Sequence, residues 1–355
     1  MVKGAGFKQS TVSLSTFVAF DPGDSGKKCV VNTHVDDFRS LDNCSFLADR
    51  LHKALLARFG EITTHDQSVT FAGIEQCQHS NGAVSLTQDR YVLRTASVIG
   101  ISHLPLVDIP AHEDFFKPLV LPADLKSVDV EAYASLTGHL VQMLKTRDEI
   151  RPFVSFLCSR NSAPRAGDFA KAIHVLRYVF STPGIGRVFQ ASEVKIYAHS
   201  DSAFCLHEEG RSSGGLFLSV GQHNAPFHSE ADALVDVALC PMTAEYYSAG
   251  KSCQWVIHYR QLAEDLGWPQ DEETELFMDN KTAINLCVAP EVTRKCKHID
   301  VKHHYIRQLV TRKIIRVTYV NSSDMRADVL TKYMPRAIFL RLRDRLLNRS
   351  ALPDK

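Results

Sequence analysis

Four acidic side chains stand at positions from which a fold could bring them together. Asp201 ends a predicted strand, Glu245 opens a long predicted helix, Asp279 ends a second strand, and Asp328 lies in a short helix further on. In α/β sheets, functional groups gather at strand ends and on the helices that start beside them. Carboxylate oxygens are the ligands that hard cations such as Mg²⁺ prefer, and Mn²⁺ accepts the same ligands. The four acids are therefore candidate metal ligands.

The spacing of the four acids is also compatible with a simpler interpretation, in which they are ordinary surface or helix-end residues. The chain has 40 acidic residues, and most such residues lie on solvated surfaces or near helix ends. Glu245 suits the positive end of a helix dipole, and Asp279 followed by Asn280 is typical of a turn. On spacing alone this interpretation is favoured, so the elements and segments around the acids have to decide between the two.

From residue 194 onward the pattern predicts an α/β (α+β) fold with a mixed five-stranded sheet and helices on both faces. The predicted strands are Val194–Asp201, Gly214–Val220, Ala225–Ser229, Glu275–Met278 and Ile314–Val320. The predicted helices are Thr243–Leu266, Val301–Thr311 and Met325–Lys332.

The first half of the chain has a different pattern. Residues 1–40 are typical of strands around a turn, and residues 41–60 have the apolar spacing of a helix that ends at Gly60. Four prolines and little periodicity in 101–126 predict a linker. The other predicted elements are β-like segments at Val69–Ile74 and Gly82–Leu86 and helices at Val130–Leu144 and Phe169–Phe180.

Charge is distributed unevenly along the chain. Residues 291–355 contain 16 Lys and Arg against 6 Asp and Glu, a net of +10, whereas the rest contains 25 against 34, a net of −9. This asymmetry fits a basic face for a polyanion, and equally a solvated basic helix. The nine cysteines form no CxxC pair, which indicates reduced thiols. Without a long apolar run or a signal-like start, we expect no membrane segment and an intracellular protein, in cytoplasm or nucleus.

Six short segments around the acids occur in a characteristic order. They are Tyr197–Asp201, Gly210–Gly215, Ala244–Tyr246, Asp279–Ala283, Lys297–Arg307 and Ala327–Lys332. Together they resemble the ribonuclease H domain at the end of copia-type retrotransposon polyproteins. The resemblance implies a ribonuclease H-like fold for residues 191–335, with Asp201, Glu245, Asp279 and Asp328 as the ligands of two Mg²⁺ ions. It implies an endonuclease that cuts the RNA strand of RNA–DNA hybrids, leaving a 3′-hydroxyl and a 5′-phosphate.

Three further residues are weaker candidates for contact with nucleic acid. His304 could move protons or assist product release, and Lys332 and Arg336 could contact phosphates. Each also suits a helix surface or a cap. The partners implied by the resemblance are an RNA–DNA hybrid and the remainder of a retroelement polyprotein.

The resemblance continues upstream into the end of a reverse transcriptase. His34-Val-Asp-Asp37 resembles the metal-binding turn of that enzyme, so Asp36 and Asp37 match two of its three aspartates. The third belongs to a part that this chain lacks, so we expect no DNA synthesis. The implied domains are a palm and thumb remnant at 1–100, a connection region at 101–190, the nuclease at 191–335 and a basic tail at 336–355.

Several segments depart from the family pattern. Thr146–Ile150 reads T-R-D-E-I in place of T-R-P-D-I, and Glu230, Asp232 and Asp236 bring acidity where the family has basic residues. These departures leave two alternatives to an active nuclease. One is a decayed remnant that binds nucleic acid without cutting it, and the other is a domesticated interaction protein.

Overall fold

The computed structural model describes residues 2–64, 70–117, 129–207, 210–289 and 299–353. The described chain divides into two compact units. The first comprises Met1–Cys77 with Gln254–Glu272, and the second comprises Gln78–Cys253 with Glu273–Lys355. One long helix contributes its first part to the second unit and its last part to the first.

The first unit contains a four-stranded antiparallel sheet that packs against one helix. Leu47, Leu51 and Leu55 recur on one face of the helix and are buried against the sheet residues Cys29 and Val31. Gly60 has a positive φ of 79° and ends the helix, as predicted. The elements are β1 (Lys8–Gln9), β2 (Thr16–Asp21), β3 (Asp24–His34), β4 (Asp37–Asp42), α1 (Ser45–Phe59), and the hairpin strands β5 (Thr70–Phe71) and β6 (Ile74–Gln78).

The second unit begins with a layer of helices around a large apolar core. Tyr133, Leu136, Phe153 and Leu176 are among its fully or almost fully buried side chains. The elements are β7 (Val84–Thr87), α2 (Asp89–Ile99), α3 (Val130–Met143), α4 (Arg151–Cys158), α5 (Ala166–Ser181) and β8 (Arg187–Phe189), which pairs with β7. The helices predicted at 130–144 and 169–180 are confirmed.

The remainder of the second unit is built on the predicted mixed sheet of five strands. In spatial order the strands are β11 (His228–Ala233), β10 (Ser213–Val220), β9 (Ile196–Ala203), β12 (Thr274–Met278) and β13 (Ile315–Tyr319). The first three are antiparallel neighbours, and β12 runs parallel to both β9 and β13. The helices are α6 (Pro241–Asp265), α7 (Lys281–Val288), α8 (Tyr305–Thr311) and α9 (Arg336–Leu346).

Some elements differ from their sequence-based predictions. The third strand of the sheet begins at His228 and not at Ala225, so the prediction was three residues early. The described part of the predicted linker is not a free connection, because Phe115 and Phe116 are buried against Phe153 and Phe156. Residues 336–346, predicted as a basic tail or a solvated basic helix, form a helix that buries one apolar face.

Among the described residues, the model contains no helix that combines the length and apolarity needed to cross a bilayer.

Candidate metal centre

Two parallel strands bring the first pair of acids to the same edge of the sheet. Tyr197, Ala198 and His199 of β9 pair in register with Glu275, Leu276 and Phe277 of β12. Continuing this register by two residues places Asp279, directly after β12, beside Asp201. Parallel strands end at the same edge of a sheet, and this pairing is why two acids distant in sequence become neighbours.

Glu245 reaches the same edge from the first turns of α6. The backbone N–H of Ser202 donates to Glu245 Oε1 at 3.1 Å. One helical turn later, the Ser248 hydroxyl donates to the carbonyl oxygen of Asp201 at 2.9 Å. These two bonds fasten the start of the helix to β9 and fix the direction of the glutamate.

The three acids form one cluster. One carboxylate oxygen from each of Asp201, Glu245 and Asp279 lies within 4.8 Å of the others. Glu245 is only 5% exposed, and its Oε2 atom is buried without a hydrogen-bond partner among the described residues. A buried carboxylate oxygen without a donor is costly unless a cation pairs with it. The donor set is all oxygen, so it fits a hard divalent ion.

The pKa values of two of these acids also fit a cation site. Burial and the nearby charge of Asp279 raise the pKa of Glu245 to about 7. Burial raises the pKa of Asp201 well above its ordinary value; Lys332 opposes this rise, while Glu245 and Asp328 add to it. Burial is the larger cause of both shifts and neighbouring negative charge the smaller one, and a divalent cation bound to the acids would offset both.

The fourth predicted acid, Asp328, is a neighbour of Asp201. Asp328 stands in a buried 3₁₀ turn, Arg326–Leu330, that follows β13. Its Oδ1 atom is 2.6 Å from the ammonium nitrogen of Lys332, which is also 3.7 Å from Asp201 Oδ2. Asp328 is therefore a neighbour of Asp201, with which it shares Lys332, but it does not belong to the group of three acids whose oxygens lie within 4.8 Å.

The turn that carries Asp328 is anchored by a buried arginine. The Arg326 guanidinium donates to His199 Nε2 at 3.0 Å and to the carbonyl oxygens of Gln222 and Asn224. Thr331, after the turn, donates its hydroxyl to Asp201 Oδ2. The sequence analysis missed Thr331 and Ser248 as supporting residues, and the motif segment Ala327–Lys332 was the one signal that could have indicated Thr331.

The weaker candidates occupy different places. His304 Nδ1 is 2.9 Å from the hydroxyl of Tyr246, the buried neighbour of Glu245. Arg336 forms an exposed ion pair with Asp108. Asp36 and Asp37 lie at the turn between β3 and β4, in the first unit. Of the segment Lys297–Arg307, residues 297 and 298 lie outside the described part of the chain, as does Cys296.

The acidic segment that departs from the family pattern is paired with cations. Lys251 Nζ lies 2.8 Å from Glu230 and 3.0 Å from Asp232. Lys302 Nζ lies 2.9 Å from Asp236, which also contacts His303. These ion pairs reduce the negative charge that the segment would present to a nucleic acid.

Comparison with known proteins gives relatives along almost the whole chain. The chain is 27% identical over 340 residues to the retrovirus-related Pol polyprotein from transposon RE1 of Arabidopsis thaliana, covering 94% of this chain. It is 27% identical over 262 residues, or 72% of the chain, to the Pol polyprotein from transposon TNT 1-94 of Nicotiana tabacum. The chain is similar to transposon Pol polyproteins over most of its length. It spans about a fifth of the length of these relatives, 22% and 19% respectively.

Solved structures were also compared. LC11-RNase H1, which was isolated from compost and crystallised in complex with an RNA/DNA hybrid, is 16% identical with a TM-score of 0.29. The match covers 39% of this chain and 94% of that one. A search against protein-family models found no match.

Proposed function

We propose that the second unit is a divalent-metal-dependent endonuclease that cuts the RNA strand of RNA–DNA hybrids, derived from a copia-type retrotransposon. The observation that carries the proposal is the meeting of Asp201, Glu245 and Asp279 from three separate elements within 4.8 Å. Asp328 stands beside them across Lys332. The similarity to transposon Pol polyproteins supports the same proposal.

Each of the four acids would have a defined place at the two ion positions. Asp201 lies centrally and would contribute to both ion positions, Glu245 and Asp279 would complete one, and Asp328 would complete the other. When bound, two ions would activate water for attack and stabilise the charge of the leaving oxygen. Thr331, Ser202 and Ser322 hold one oxygen each of Asp201, Glu245 and Asp279, which fixes the ligands before an ion arrives. We expect specificity for hybrid shape and the 2′-hydroxyl, not for sequence.

The decisive test is cleavage of an end-labelled RNA–DNA hybrid in the presence of Mg²⁺. We expect the wild-type chain to cut the RNA strand and Asp279→Asn to lose at least about 100-fold in rate, because the amide removes one charge from the cluster. Asp114→Asn is the matched control, since Asp114 is an exposed acid paired with Lys117 and should leave the rate unchanged.

Two other results would change the assignment. A folded wild-type chain that binds the hybrid without cutting it would point to a decayed binding remnant. Self-association without hybrid binding would point to an interaction protein. Primer extension on the same chain should give no product, because Asp36 and Asp37 are only two of the three aspartates that a polymerase site requires.

A further inference from the structure

Asp328 and its neighbour Asp201 share one lysine. Lys332 Nζ is 2.6 Å from Asp328 Oδ1 and 3.7 Å from Asp201 Oδ2. Its side chain is 39% exposed, whereas those of Asp201 and Asp328 are 2% and 11% exposed. The ammonium therefore enters from the solvent side and neutralises a pair of buried carboxylates.

Glu245 differs from this pair. Its Oε2 atom is buried and receives no hydrogen bond from the described residues. Among the described residues no cation is paired with Glu245 Oε2, whereas Asp201 and Asp328 already share the ammonium of Lys332. This asymmetry was not evident from the four acids in the sequence.

An ammonium and a divalent ion cannot both contact the same carboxylate oxygens. At contact distances the two positive charges repel each other strongly, even with the effective dielectric constant of about 20 that suits protein sites. An ion that binds between Asp201 and Asp328 must therefore move the lysine. Lys332 can leave without unfolding anything, because its side chain is long and partly exposed.

We propose that Lys332 is a built-in counter-cation of the Asp201–Asp328 pair, and that a divalent ion binding at this pair displaces it. The inference rests on the proposed metal site and deepens it. It means that the two ion positions differ in affinity: the position of Asp201, Glu245 and Asp279 fills first, and the position at Asp328 fills at higher concentration. Lys332 then acts as a positioning residue that holds Asp328 ready before the second ion binds.

The test is Mn²⁺ binding to the full chain, measured calorimetrically at pH 8 without nucleic acid. The wild type should show a tighter and a weaker class of site. Lys332→Gln should tighten the weaker class by roughly tenfold, within the range typical of coupled sites, and leave the tighter class almost unchanged. Lys332→Arg keeps the charge and should behave like the wild type. Lys302→Gln is the control, because it removes the charge of another lysine that is paired with an aspartate.

Thermal melting gives a second readout. Without divalent ions, Lys332→Gln should melt below the wild type, because Asp201 and Asp328 lose their buried counter-charge. On addition of Mn²⁺ it should gain more in melting temperature than the wild type, since tighter binding to the folded state adds more stability. If Lys332 had only a structural role, Lys332→Gln would melt at a lower temperature without divalent ions, and Mn²⁺ would raise its melting temperature no more than that of the wild type.

The outcomes separate this inference from the function on which it rests. If the wild type binds no divalent ion, the proposed metal site fails and the inference fails with it. If the wild type binds two classes of ion and Lys332→Gln leaves the weaker class unchanged, only the role of Lys332 is overturned. Tightening confined to the weaker class, absent in Lys302→Gln, supports it.

Discussion

Burial decides how individual side chains behave in this molecule. Asp201 and Glu245 are acids that lie almost out of contact with water, and their raised pKa values express the cost of that burial. Hydrogen bonds from Thr331 and Ser202 reduce the cost on one oxygen of each acid. These bonds do not remove the whole desolvation cost of the carboxylates, and a divalent ion that binds them would lower it further.

A histidine outside the centre allows the effect of burial to be measured. Burial lowers the pKa of His228 from its ordinary 6.5 to about 4; Glu230 and Asp148 oppose the change, and Arg151 and Arg187 add to it. Between these values the unfolded chain binds more protons than the folded chain, so stability falls as the pH decreases from 6.5 towards 4.

The expected result is a flatter pH profile in a variant that cannot titrate at this position. Between pH 7.5 and 4.5, the wild type should lose about 2 kcal/mol more unfolding free energy than His228→Gln, judged from urea unfolding. His103→Gln, which changes an exposed histidine, should follow the wild type. Parallel profiles for wild type and His228→Gln would show that His228 is not held neutral.

At the scale of elements, close contact between β10 and the turn of Asp328 is what assembles the centre. Gly215 of β10 pairs with Asp201 across the strands. A Cβ atom at Gly215 would lie 2.5 Å from Thr331 Cγ2, 2.9 Å from Leu330 Cβ and 3.1 Å from the Leu330 carbonyl carbon. The Thr331 methyl group and Leu330 Cβ, which is attached directly to the backbone of the turn, are too close to accommodate it, so only glycine lets the turn approach this strand.

Gly215→Ala should therefore push the turn away from the sheet. We expect a loss of about 1–3 kcal/mol in unfolding free energy and weaker divalent-ion binding, since Asp328 and Thr331 would move away from Asp201. Urea unfolding and calorimetry measure the two effects. Gly138→Ala, in α3 where a Cβ would meet nothing within 4 Å, should keep or increase stability. Unchanged ion binding in Gly215→Ala would contradict the argument.

The sequence predicted elements well where apolar residues recur with one clear period. This applies to α1, α3 and α6 and to the strands β9, β10, β12 and β13, whose types were all correct. It did not predict α2, whose buried residues Val92, Thr95 and Ala96 include only one large apolar side chain. The short helices α4 and α7 were missed because eight residues are too few for a distinct period.

For the centre, the sequence identified candidate acids but not their grouping. The segments around Asp201, Glu245, Asp279 and Asp328 marked all four as equivalent ligands. Pairing between β9 and β12 brings Asp201 and Asp279 together, and the bonds between α6 and β9 add Glu245, whereas Asp328 shares Lys332 with Asp201 and is not in the group of three. Both facts depend on contacts between distant segments; the Thr331–Asp201 bond, for example, spans 130 residues. Local pattern contains no information about such contacts.

Considered as a whole, the second unit joins its helical layer to its sheet through buried charges. Asp148 is fully buried and accepts two hydrogen bonds from Arg187, both of 2.7 Å, and one from the Ser229 hydroxyl. Arg151 is a second cationic partner, with its guanidinium nitrogen Nη2 3.5 Å from Asp148 Oδ1. These partners belong to β8, β11 and α4, so one aspartate connects three elements. It stands in the segment where the sequence departs from the T-R-P-D-I pattern.

A buried charge with this many partners stabilises the fold only while the set is complete. Burial would raise the pKa of Asp148, but Arg187 and Arg151 outweigh it and hold the pKa below its ordinary value. Asp148→Asn keeps the shape yet leaves two buried guanidinium groups short of a counter-charge. We expect a loss of about 3–5 kcal/mol in unfolding free energy, measured by urea unfolding at pH 7.

Asp114→Asn provides the contrast for this last prediction. Asp114 pairs with Lys117 at 2.8 Å, much the same distance as in the buried pair, but its side chain is 73% exposed against 0% for Asp148. Water replaces the lost partner at the surface, so this variant should show no measurable loss of stability. Equal effects in the two variants would mean that Asp148 does not hold the layer and the sheet together. A large loss at Asp148 alone would show that burial, and not the ion pair itself, makes this contact indispensable.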